Sequence, residues 1–153
     1  MKKVELKTKR IIEAFKTLDS SKYQKLSDDD KIKTWKIIRA LKPIALEYEE
    51  AIEDAKTRLV PSDDYEMKFQ KAQLYERMKK EGKNTLPMSE EEYNAFVPVF
   101  KSYMELLAKA INDGLKKVRS IEFEPLSEEA FGKLMASNDW SFGQAEKLDF
   151  IIE

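Results

Sequence analysis

The sequence predicts a mainly α-helical fold, a helical bundle built on a long helical hairpin with a small two-stranded β element. Three observations lead there. Two long stretches carry apolar residues at alternating three and four spacing, the signature of a packed helix face. Glycine and proline are scarce, 4 and 5 of 153 residues, which favours long regular elements over a turn-rich sandwich or barrel. Only two short segments alternate in the manner of strands. A chain of 153 residues is one ordinary domain's worth of sequence, so residues 1–153 are expected to form a single helical domain, with 62–88 a less ordered or inserted segment.

Taken in order, Val4 and Leu6 alternate with lysine and glutamate, as in a short strand, before Ile11, Ile12, Phe15 and Leu18 take up helical spacing. A long helix is predicted over residues 28–59. Ser27 is its cap, and Asp28-Asp29-Asp30 place negative charge in the first turn, where it suits the helix dipole. Its seam is Ile38, Leu41, Ala45, Tyr48, Ile52, Ala55 and Leu59, and Val60-Pro61 ends it. Pro43 lies inside the pattern and either kinks this helix or splits it after Leu41.

In the middle stretch, Ser62-Asp63-Asp64 can cap a helix carrying Met67, Phe69, Ala72, Leu74, Tyr75 and Met78, followed by a loop over Gly82-Lys83-Asn84-Thr85-Leu86-Pro87. The irregular spacing here predicts the least tightly packed part of the core. A second long helix follows over about 90–117, opened by Ser89 with Glu92 in the capping-box pattern. Tyr93, Phe96, Phe100, Tyr103, Leu107 and Ala110 form its seam, widened by Val97, Met104, Ile111 and Leu115, with Pro98 as an interior kink. Val118, Ile121 and Phe123 then alternate as a second strand closed by Pro125. Two such strands pairing alone are marginal in water, so the ribbon is expected to lie over the helices. Short helices over 127–136 and 141–152 complete the chain. Ser141 with Gln144 makes a second capping box, Trp140 anchors the corner, and Phe142, Ala145, Leu148 and Ile152 share one face.

Function is narrowed mainly by exclusion. The 28 basic and 29 acidic side chains leave a formal net charge of −1, so no bulk electrostatic pull toward nucleic acid follows. With no cysteine and no histidine, the chain cannot offer disulfides, zinc fingers, thiol nucleophiles or a histidine base. The acidic clusters Asp28-Asp29-Asp30, Asp63-Asp64 and Glu90-Glu91-Glu92 all fall at predicted helix starts, where capping and the dipole explain them. Glu49 and Glu53 are spaced to share a metal inside a bundle, but the partner motif Glu-x-x-His cannot exist here, so a solvated face is the expectation. Neither a metal nor a cofactor is expected. The basic patches Lys7, Lys9, Arg10 and Lys79, Lys80, Lys83 lack interleaved aromatics, which argues against nucleic acid. No phosphate-binding glycine motif and no apolar run of membrane-spanning length is present, and a cytoplasmic, non-membrane protein is expected.

What remains is protein contact. Trp35, Phe69, Tyr75, Met78 and Met88 are large apolar groups outside the clean seams, and exposed together they would form a partner-binding patch. The heptad-like seam of the long helices equally suits a homodimer.

The stretch Lys33-Thr34-Trp35-Lys36-Ile37-Ile38-Arg39-Ala40-Leu41-Lys42-Pro43, continuing to Tyr48-Glu49-Glu50-Ala51 and Leu59, resembles a helix found in small proteins of tailed bacteriophages and prophages that have no assigned function. Glu124-Pro125-Leu126-Ser127 is similar to their strand-to-turn segment, and Leu148-Asp149-Phe150-Ile151-Ile152-Glu153 to their closing helix. The resemblance covers about half the chain, and residues 62–92 have no counterpart in it. It brings no catalytic residues. It implies a non-enzymatic accessory protein of virion assembly or morphogenesis, with the bacterial host cytoplasm as its setting. An inhibitor of a host protein such as a defence factor is the alternative, and a carboxylate-dependent enzyme the second alternative.

Overall fold

The computed structural model describes residues 1–153 and is mainly helical, with one two-stranded sheet. Strand β1 (Lys2–Lys7) leads into α1 (Thr8–Asp19), α2 (Asp28–Leu59), α3 (Tyr65–Lys80) and α4 (Glu90–Lys116). Strand β2 (Val118–Phe123), α5 (Glu128–Asn138), α6 (Phe142–Glu146) and a 3₁₀ turn at Asp149–Ile151 follow. The chain divides into two compact units, Met1–Glu50 with Asp113–Glu153, and Ala51–Asn112.

The first unit is organised by its ribbon. β1 and β2 pair antiparallel from Lys2 opposite Phe123 to Lys7 opposite Val118, which puts Val4 across from Ile121 on the shared inner face. That face meets a core of Ile11, Leu18, Ile37, Leu41, Leu126, Leu134, Leu148 and Ile151, all essentially without solvent contact. The junction between β1 and α1 is tied down by buried Thr8. Both its backbone N–H (2.8 Å) and its hydroxyl (2.7 Å) donate to the carbonyl of Lys117, the residue preceding β2.

Helix α2 runs unbroken through Pro43, so the split after Leu41 does not occur. Pro43 and Arg39, whose carbonyl loses its helical donor, are both exposed, so water can replace the missing bond; Pro98 and Asn94 repeat the arrangement in α4. In the first unit Gly114 of α4 comes so close to α2 that a Cβ there would lie 3.0 Å from the Tyr48 ring.

The end of the chain departs from its helical expectation. The helix foreseen over 141–152 stops at Glu146, and Phe142 is 82 % exposed rather than part of a buried face. The capping box of Ser141 and Gln144 does form. Beyond it the chain tightens into 3₁₀ geometry, which buries Leu148, Phe150 and Ile151 together, a spacing no single α-helix face provides. The turn also frees the backbone to pair with Leu126, which donates to Ile151 (2.8 Å) and accepts from Glu153 (2.9 Å).

The second unit holds the last turns of α2, all of α3 and most of α4. Residues 62–88 contain α3 and supply Tyr65, Ala72, Tyr75 and Met88 to its core, beside Phe96, Tyr103 and Leu107. Every residue of the α4 seam is buried or half-buried, but Val97 and Met104, expected to widen it, are exposed.

Candidate interaction surfaces

The second unit is built on aromatic rings. Tyr65 meets Tyr103 edge-on at 4.8 Å, Phe69 stacks on Phe100 at 5.5 Å, and Tyr75 stacks on Tyr93 at 4.4 Å. The polar ends of these rings are treated unequally. The Tyr103 hydroxyl donates to the carbonyl of Lys56 (3.1 Å), and the Tyr93 hydroxyl donates to Glu76, a bond that holds its pKa above the ordinary tyrosine value. The Tyr65 hydroxyl is buried with no partner at all.

Around this aromatic centre the surface is grooved, with apolar side chains set beside charged ones such as Lys68, Lys71, Glu76 and Glu92. Met67, Met88, Ala95, Phe96 and Val99 line one groove; Leu59, Pro98, Val99 and Leu106 line another; Phe69, Phe96, Val97 and Phe100 line a third. On α4 the exposed residues Ala95, Val99, Ser102 and Leu106 step by four, three and four along one side of the buried seam, while Val97 and Met104 flank it on the other. A helix apolar on more than one side is ordinarily covered on more than one side. Leu106 is nevertheless 47 % exposed.

Of the five contact residues read from the sequence, two are interior and three reach solvent. Tyr75, 2 % exposed, and Met88 are interior, because the stack on Tyr93 and the turn into α4 fold them into the core. Phe69 and Met78 are half-buried, and Trp35 lies on the outer side of α2 in the first unit, 53 % exposed. The residues that do form an apolar surface on the second unit, Val99 and Leu106 with Met67, were not singled out. Their signal was the breadth of the apolar stripe on residues 93–107.

Carboxylates are dispersed. No group of three or more acidic side chains gathers as a metal site would require, and Glu49 and Glu53 are exposed. Asp64 is held below its usual pKa by the Ser62 hydroxyl and then by Lys68, and Glu47 by its bond to Arg119 (3.0 Å); both are local surface arrangements. No helix is long and apolar enough to cross a membrane.

Compared with known protein families, characterised proteins and solved structures, the chain matches none of them.

Proposed function

We propose that this chain is a non-enzymatic protein-binding module, and that α4 of the second unit carries its contact surface. The observation behind this reading is the exposed stripe of Val99 and Leu106, bordered by grooves with apolar lining, on a helix that already buries the adjacent seam of Phe96, Tyr103 and Leu107. The resemblance of residues 33–59 and 148–153 to phage and prophage proteins favours a partner in that setting, with virion assembly or morphogenesis as the primary role.

Affinity capture from phage-infected and uninfected host lysate, run in parallel with a Val99→Glu/Leu106→Glu variant, tests the reading. A virion protein retained stoichiometrically by the wild type and lost by the variant supports the assembly role. A host protein showing the same loss would replace it with the inhibitor role. Partners retained equally by both forms, or none, would remove α4 as the interface.

A further inference from the structure

A second surface lies on the first unit, along the outer side of α2. Ile32, Trp35, Arg39, Lys42 and Leu46 step by three, four, three and four, so they form one stripe, and all five are exposed. The stripe spans about 21 Å at 1.5 Å per residue. It lies opposite the buried seam of Leu41 and Ala45, so nothing in the first unit covers it.

Its charge is one-sided. Between Asp30 and Glu47 every charged residue of α2 is basic: Lys31, Lys33, Lys36, Arg39 and Lys42. Lys31 and Lys33 are paired, with Asp28 and Glu124 respectively. Lys36, Arg39 and Lys42 have no carboxylate within ion-pair distance, although the chain as a whole carries slightly more acid than base. Arg39 instead rests over the Trp35 ring at 4.8 Å, which holds the indole and the guanidinium together as one flat, cationic surface.

We propose that this stripe docks an acidic amphipathic helix of another protein. The order of the residues specifies the occupant: apolar at one end (Ile32, Trp35), cationic in the centre (Arg39 and Lys42, with Lys36 beside them), apolar again at Leu46. A complementary helix carries carboxylates flanked on the same face by apolar side chains about four turns apart. A nucleic acid fits less well, because a phosphate backbone offers nothing for Ile32 and Leu46 to bury against and three free cations release few counterions. The stripe shares no residue with the α4 surface, so it stands or falls independently of the reading given above.

The test is a selection of displayed 20-residue helical peptides on the intact protein, followed by fluorescence anisotropy of the enriched peptides. The expected winners carry central carboxylates between apolar positions. Their binding weakens as salt is raised and falls at least about tenfold in Arg39→Glu and in Trp35→Ala. Far-UV circular dichroism confirms that these variants keep their helix content, and Lys36→Gln/Lys42→Gln supplies a charge-only variant should Trp35→Ala lose helix. Enrichment without acidic bias, or no enrichment, overturns the proposal. So does binding that survives Arg39→Glu and is lost in Leu106→Glu, which assigns the peptides to α4. Displacement of the peptides by a 20-nucleotide single-stranded DNA at lower concentration than unlabelled peptide would reassign the stripe to nucleic acid.

Discussion

The side-chain amide of Asn138 brackets the backbone of Lys22: its oxygen accepts from the Lys22 N–H at 2.7 Å and its nitrogen donates to the Lys22 carbonyl at 2.9 Å. The same nitrogen donates to Leu134, so the final turn of α5 is joined to the loop between α1 and α2. Ser137 adds a further bond by accepting from the Lys25 N–H. Asn138→Ala removes both bonds to the exposed Lys22 backbone, which water can then reach, and is expected to cost about 0.5–1.5 kcal/mol. Asn138→Asp keeps the acceptor and should fall between alanine and wild type. Urea unfolding followed by circular dichroism gives all three values, and an alanine variant as stable as wild type would show that water replaces the amide without loss.

Tyr23, in the same loop, donates its hydroxyl to the carbonyl of Leu18. Burial first, and the nearby Asp19 second, push its pKa up to about 12, with Ser21 opposing. The folded-state value lies above the unfolded one, so the stabilisation is complete below about pH 10 and is lost as pH rises toward 12. Tyr23→Phe should therefore lower stability at neutral pH and lessen its decline between pH 10 and 12. Tyr48 and Tyr65 are also raised by burial, so part of the alkaline decline remains. A variant with the full wild-type slope over that interval would take Tyr23 out of this account.

The parts of the fold legible in the sequence are those where burial is periodic. The seam from Ile38 to Leu59, the seam from Tyr93 to Ala110 and the alternation of Val4 and Leu6 against Ile121 and Phe123 each follow the period of their element. Leu148, Phe150 and Ile151 do not, because a 3₁₀ turn and the backbone pairing to Leu126 decide their burial, and both depend on residues far away in the chain. The surfaces were less legible for the same reason. Tyr75 stands outside a clean seam yet is buried, since its partner Tyr93 is supplied by another helix. Trp35, set away from Ile38, Leu41 and Ala45, is exposed as its position on the helix requires. The basic run around Trp35 was present in the sequence, but only the structure shows which of its cations are already paired.

Tyr65 and Tyr103 touch edge-to-face, but only one of their hydroxyls is satisfied. Tyr65→Phe removes a buried group with no partner and should leave stability unchanged or raise it by about 1 kcal/mol, while Tyr103→Phe orphans the Lys56 carbonyl contact and should cost about 0.5–1.5 kcal/mol. Thermal unfolding of the two variants side by side measures the difference. A substantial loss in Tyr65→Phe would mean that its hydroxyl has a partner in solution.

Glu47 is held below its ordinary pKa by Arg119, whose guanidinium bonds it at 3.0 Å. A depressed carboxylate stabilises the fold above its unfolded pKa and loses that contribution as pH falls through the folded value. Glu47→Gln should then lower the melting temperature slightly at pH 7 and make no difference at pH 2. Both residues reach solvent, so the effect should also shrink in high salt. An equal difference at the two pH values would point to packing rather than charge.

Leu106 and Leu107 are neighbours on α4 with opposite surroundings. Leu107 joins the aromatic core of the second unit, and its truncation to alanine should cost about 2–5 kcal/mol, because the transfer free energy is lost and a cavity is left. Leu106 projects to solvent, and Leu106→Glu replaces it with a good helix former, so stability should move by no more than about 0.5 kcal/mol. The pair therefore separates folding from contact. If Leu106→Glu keeps the wild-type unfolding midpoint and still abolishes partner capture, the loss belongs to the interface; if it unfolds the chain, Leu106 is part of the core and the α4 surface is smaller than its exposure suggests.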